Sequence, residues 1–184
     1  MKHNRMLTTL FATVVLGLAA GWAISAQDKY AVKVPGGLSF SEFRGYESWP
    51  IVSLSENGGV FAATVANPVA IEAFRAGIPD NGKSFLDGAK LAKMHYQPKQ
   101  LETFPSASVP GKQLNVDFML KDSKRFADGG GWGYGFFEYD AASDTFRPAD
   151  ASSQPPQNDD AKCGVSCHTI AQSRDHVFTQ YAHR

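Results

Sequence analysis

The sequence predicts an α+β domain, an antiparallel β-sheet flanked by a few helices, followed by a C-terminal segment of different character. Three observations carry this. Glu56-Asn57-Gly58-Gly59 joins two β-rich runs, 51–54 and 60–65, and Asn-Gly between apolar runs is a hairpin signature. Further β-patterned runs follow at 90–96, 114–120 and 132–139, the last rich in aromatic residues. Only a few short stretches have helical spacing, and no internal repeat is present.

The chain starts with an address rather than with a domain. Lys2 and Arg5 precede an apolar run from Met6 to Ile24, and Ile24-Ser25-Ala26 is a small-residue cleavage site. Residues 1–26 therefore read as a secretory signal peptide. An uncleaved anchor is the alternative, since the run is close to the roughly 20 residues that span a bilayer. Cleavage removes two positive charges and leaves a formal net charge of −2. No basic stripe for nucleic acid remains. A periplasmic or exported location follows.

Residues 27–48 read as an N-terminal arm and short helix, and 49–184 as the main domain. Pro35-Gly36-Gly37 interrupts the arm. Phe40, Phe43 and Tyr46 then recur at helical spacing behind Ser39 or Ser41 as a cap. After the 51–65 hairpin, Asn67-Pro68 opens a helix with Asn67 as N-cap and Gly77 past its end. Phe85-Leu86-Asp87-Gly88 is a turn. Lys90–Tyr96 reads as a strand, 98–112 as a polar connection and Leu114–Leu120 as a strand. Asp122–Phe126 reads as one helical turn before Gly129-Gly130-Gly131. A strand at 132–139 and a short one at Phe146 follow. Residues 148–160, rich in Ser, Gln, Pro, Asn and Asp, form a loop with little core-forming power. Val177, Phe178 and Tyr181 have helix-like spacing.

The chemistry is concentrated near the end. Both cysteines of the chain lie in Cys163-Gly164-Val165-Ser166-Cys167-His168. Two thiols followed at once by His suit a covalent haem c. The thiols add to the two vinyl groups, and the imidazole supplies the axial ligand to the iron. The usual motif spaces the cysteines by two residues and this one by three, so the loop must bulge. Other readings compete. A zinc site needs about four ligands, for which His176 and His183 would have to join the cysteines. A Cys163–Cys167 disulfide would close a tight loop, and a redox thiol pair lacks the usual spacing. The adjacent His and the exported start favour haem c, held through Cys163 and Cys167 with His168 on the iron. Only 16 residues follow His168 and none is Met, unlike small cytochromes that take a downstream Met ligand.

Four groups of residues together resemble the cytochrome P-460 family, which shares its fold with the cytochromes c′-beta. They are Phe85-Leu86-Asp87-Gly88 with Lys93; Lys121-Asp122-Ser123-Lys124-Arg125-Phe126; Gly130-Gly131-Trp132-Gly133-Tyr134 with Phe136-Phe137; and the haem motif with Asp175-His176-Val177-Phe178-Thr179. The resemblance spans most of the chain from Trp49 onwards. It implies a homodimer whose protomers each hold a five-coordinate haem against an antiparallel sheet. Members that oxidise hydroxylamine, with nitric oxide, towards nitrous oxide link a Lys to the haem edge, and Lys93 falls on that position, with Lys90 as competitor. Active members also use a distal carboxylate. Glu102, Glu138, Asp159 and Asp160 are candidates for it.

Trp132, Tyr134, Phe136 and Phe137 could wall a haem pocket or simply pack the core, as could Phe104, Phe118 and Met119. Met94 or Met119 as a sixth ligand would make the protein an electron carrier. His95 is a candidate distal acid or base, while His176 and His183 read as solvent-facing. Three functions follow. One is an enzyme acting on small nitrogen oxides with a redox partner. The second is a non-enzymatic haem protein binding nitric oxide or carbon monoxide. The third is an electron-transfer cytochrome.

Overall fold

The computed structural model describes residues 28–182; the segment read as a signal peptide and His183 lie outside it. Six strands form one antiparallel sheet in chain order, β1(Ile51–Asn57), β2(Val60–Ala66), β3(Lys90–Leu101), β4(Phe104–Lys121), β5(Trp132–Asp140) and β6(Thr145–Pro148). With the short helices α1(Pro68–Arg75) and α2(Val165–His168) and several 3₁₀ turns, this is the α+β architecture expected. Among the described residues no helix is long and apolar enough to cross a membrane.

Register makes the sheet two-faced, because alternate residues of a strand point to opposite sides. One face carries the cross-strand rows Val65–Ala92–Phe118–Gly135 and Ala63–Met94–Val116–Phe137. The N-terminal segment seals it. Val32, Val34, Leu38, Phe40, Phe43 and Tyr46 are all buried there, and Phe43 stacks on Phe118 at 4.0 Å. Residues 28–48 are thus part of the core. Their expected helix is broken at Gly45, whose φ of +82° is left-handed, so two 3₁₀ turns, Phe40–Phe43 and Tyr46–Ser48, replace it. The opposite face carries Ala66–Leu91–Met119–Tyr134, then Thr64–Lys93–Asp117–Phe136, then Ala62–His95–Asn115–Glu138.

The first hairpin forms as expected, but its two turn residues are Gly58 and Gly59 rather than Asn57 and Gly58, since Asn57 pairs with Val60. Residues 98–112 are not a connection. They complete a long β3–β4 hairpin in which Pro98 faces Pro110 and Lys99 faces Val109. The prolines are tolerated because neither β2 nor β5 reaches this part of the ribbon, so the missing N–H groups cost no ladder bond to a neighbour. Helical structure after Phe126 falls at Ala127–Gly129, one step later than expected. Phe178 and Tyr181 lie on non-helical chain.

Asn67 caps α1 as its sequence indicates, and does more. Its Oδ1 accepts from Ala70 N at 3.1 Å and Lys90 N at 3.0 Å, and its Nδ2 donates to Gly88 O at 2.8 Å. One buried amide therefore ties helix, strand and turn together. Asn67→Ala removes the cap and leaves backbone groups unpaired, and is expected to lower unfolding free energy by about 2 kcal/mol. Urea denaturation checks this, as a lower midpoint at unchanged slope.

Candidate functional site

The edge of β5 delivers the cysteine motif. Beyond the reach of β6, the backbone of β5 is paired by the following loop: Tyr134 N donates to Ala161 O at 2.8 Å and Phe136 N to Gln157 Oε1 at 2.9 Å. Gln157 is buried, and its Nε2 donates to Asn158 O and Asp160 O. One amide therefore joins the polar loop 148–160 both to the sheet and to its own backbone. Gly164 then passes so close to Tyr134 that an added Cβ would lie 2.3 Å from the ring. The motif's glycine is required by space, not by backbone conformation, as its φ is −87°.

The result is a cleft, partly open to solvent, over the sheet's second face. The sheet contributes Leu91, Lys93, Asp117, Met119, Tyr134 and Phe136; the loop contributes Pro155 and Pro156; the C-terminal segment contributes Cys163, Cys167, His168 and Phe178. Lys93 and the motif residues thus meet in one place. Lys93 shares its face with Leu91 and His95, whereas the competitor Lys90 turns the other way and donates to Glu42 O at 2.6 Å. Tyr134 and Phe136 line the cleft. Trp132 does not: it is fully buried one row further along, edge-on to Phe85 at 5.6 Å. Phe137 and Met94 belong to the opposite face, and Phe104 is exposed near the hairpin tip.

His168 is held in one tautomer. Its Nδ1 lies 2.7 Å from His176 O, a carbonyl that only accepts, so Nδ1 carries the proton and Nε2 keeps the lone pair for a metal. Burial lowers the imidazole's pKa, which favours the neutral, ligating form. Its ring packs between Tyr134 at 4.7 Å and Phe178 at 4.8 Å. His176, read from sequence as solvent-facing, is half-buried, and its carbonyl is the acceptor of that bond. The thiols are free. Cys163 Sγ donates to Gln157 Oε1 at 3.0 Å, and burial pushes its pKa up to about 12. Among the described residues no three His, Cys, Asp or Glu side chains converge as a metal-ion site.

The residue that sequence reasoning missed is Asp117. It is the direct cross-strand partner of Lys93 and lines the same cleft. Its Oδ1 is buried without a hydrogen-bond partner, although 35% of the side chain remains exposed. Desolvation raises its pKa to about 7, with Lys93 opposing the rise. The four carboxylates named from sequence lie elsewhere. Glu102 is exposed and 3.6 Å from Lys99. Glu138 accepts from Ser153 Oγ at 2.5 Å and pairs with Arg147. Asp159 is exposed, and Asp160 accepts from Lys162 N.

The arrangement fits a covalently held haem on its own observations. An apolar cleft places two free thiols beside an imidazole with one committed nitrogen, and the buried Tyr134 hydroxyl and Asp117 Oδ1 lack partners within the protein.

A raised carboxyl pKa means the folded state binds a proton that the unfolded state has released, between its ordinary pKa near 4 and about 7. Asp117 therefore subtracts stability as pH rises through that window, with Lys93 and His95 the charged or titratable groups beside it. Asp117→Asn is expected to match the parent near pH 4 and to be more stable at pH 8. Thermal melts across pH check this; equal pH profiles would remove the assignment.

A search of the curated proteins finds no match. The family model described as Cytochrome P460 matches residues 43–179, from the end of the core-sealing segment to the cleft residues Phe178 and Thr179. On that match the chain belongs to the cytochrome P460 family, and is a cytochrome with a haem cofactor.

Proposed function

We propose that this cytochrome is exported to an oxidising compartment, carries one haem c through Cys163 and Cys167 with His168 on the iron, and oxidises hydroxylamine, alone or with nitric oxide. The observation that carries the reading is the juxtaposed pair Lys93 and Asp117 in the cleft that also holds the motif. Small nitrogen hydrides lose protons as well as electrons when oxidised. The bound haem supplies a nitrogen-binding iron and the electron sink; the protein must supply the base. Asp117 suits that role, because a base is most effective when its pKa is near the operating pH. Met119, Phe136 and Phe178 supply apolar lining to the same cleft. Lys93 contributes positive charge and, as the resemblance implies, a nitrogen for a further link to the haem edge. The electrons leave to an external redox partner, and a homodimer is the assembly the family resemblance implies.

His95 stands behind Asp117, its Nδ1 3.6 Å from Oδ2 and 2.6 Å from Asn115 Oδ1. Burial lowers its pKa, so near neutrality it is an uncharged neighbour.

The holoprotein, made with its own export signal, is expected to retain its pigment through denaturing extraction and to lose that retention in Cys163→Ala/Cys167→Ala. Pigment released from the parent chain would refute covalent attachment. Haem-peptide mass is expected to show a third attachment that Lys93→Met abolishes. With an oxidant present, hydroxylamine turnover is expected in the parent and to fall on the order of 100-fold or more in Asp117→Asn. Nitric oxide binding without any hydroxylamine turnover would assign the protein to ligand capture instead.

A further inference from the structure

The bond from His168 to the His176 carbonyl depends on an unusual turn. Asp175 and His176 are consecutive non-glycine residues in the left-handed region, with φ of +49° and +63°. Side chains rarely adopt this conformation, and it persists only where surroundings impose it. Here they do so from two sides. Asp175 Oδ1 accepts from Lys121 Nζ at 2.7 Å and Oδ2 from Phe85 N at 2.8 Å. Lys121 Nζ also donates to Gly130 O at 2.9 Å and sits 5.2 Å from the Trp132 ring. On the other side, the His176 ring packs against Gly130 so closely that a Cβ there would lie 2.3 Å from Nε2.

Both charged side chains of this pair are only 7% exposed. A buried ion pair gains little stability over well-packed apolar side chains, because desolvation offsets the attraction. What it does supply is a fixed geometry, linking the end of β4, the turn before β3, the Gly130 turn and the C-terminal segment. Lys121 is not part of the cleft lining, so it does not touch whatever binds there.

We propose that the Lys121–Asp175 ion pair is a positioning device for His168: it pins the Asp175–His176 turn, holds the His176 carbonyl against Nδ1–H, and thereby sets how strongly His168 donates to the haem iron. This rests on His168 being the axial ligand. A firm hydrogen bond at Nδ1 increases the donor strength of the ligating nitrogen. Stronger donation favours ferric over ferrous iron, and axial-ligand electronics are a main control of haem potential.

The test uses the haem-loaded full chain with Lys121→Met and, separately, Asp175→Asn, which keeps side-chain volume and an acceptor for Phe85 N–H. The ferrous iron–histidine stretch, read by resonance Raman, is expected to move to lower frequency in both. The midpoint potential is expected to move upward. If Lys121→Met does not fold, Asp175→Asn decides alone. Folded variants that carry haem and match the parent in band and potential overturn the proposal, even where their melting temperature falls. A parent protein whose ferrous haem is five-coordinate yet shows no iron–histidine band instead removes His168 as ligand, and with it the reading beneath.

Discussion

The alternation of side chains across one six-stranded sheet is the constraint on which the site depends. Because neighbouring residues of a strand face opposite ways, β3 sends Ala92 and Met94 into the aromatic core and Leu91 and Lys93 into the cleft. β4 does the same with Val116 and Phe118 against Asp117 and Met119. A one-residue slip between these strands would exchange the two sets. Lys93 and Asp117 would then be buried among phenylalanines, a placement whose desolvation cost forbids it. The packing of Phe40 and Phe43 on Phe118 at 5.0 and 4.0 Å fixes the register from one side, and so fixes the chemistry on the other.

The cleft's second wall has a different origin. It consists of chain with little regular structure that passes close to Tyr134 at Gly164 and is held by a few polar contacts, Gln157 to the β5 backbone and the buried pair between Lys121 and Asp175. Such contacts are directional, which suits a wall that must present two sulfurs and an imidazole. Apolar packing alone would hold the segment down without fixing its rotation.

This division explains what could be read from the sequence. Strand runs, the glycine-rich hairpin turn, the Asn67 cap and the cysteine motif depend on local pattern, and the structure has each of these elements. The parity of Leu91, Lys93 and His95 was equally local. Asp117 escaped because a carboxylate inside an alternating strand has the same pattern whether it faces water or a cleft. Gln157 escaped because two of its partners, Phe136 N and Cys163, lie outside its own polar loop. The length of the β3–β4 hairpin was hidden by Pro98, Pro105 and Pro110, which argue against a strand unless both neighbouring strands stop short. The core role of residues 28–48 was hidden by Pro35-Gly36-Gly37, which resembles a linker but here makes the bend that brings Lys33 and Ser39 together in an isolated bridge.

That overhanging ribbon has a consequence for the protein's life in solution. From Gln97 to Lys112 neither outer edge is covered by β2 or β5, which would ordinarily invite an extended stranger to add itself as another strand. Prolines at 98, 105 and 110 delete amide donors at intervals, and Lys99 and Lys112 place charge beside the gaps. The overhang thus carries its own protection against cross-β association, which matters most while the chain has not yet closed around its pigment.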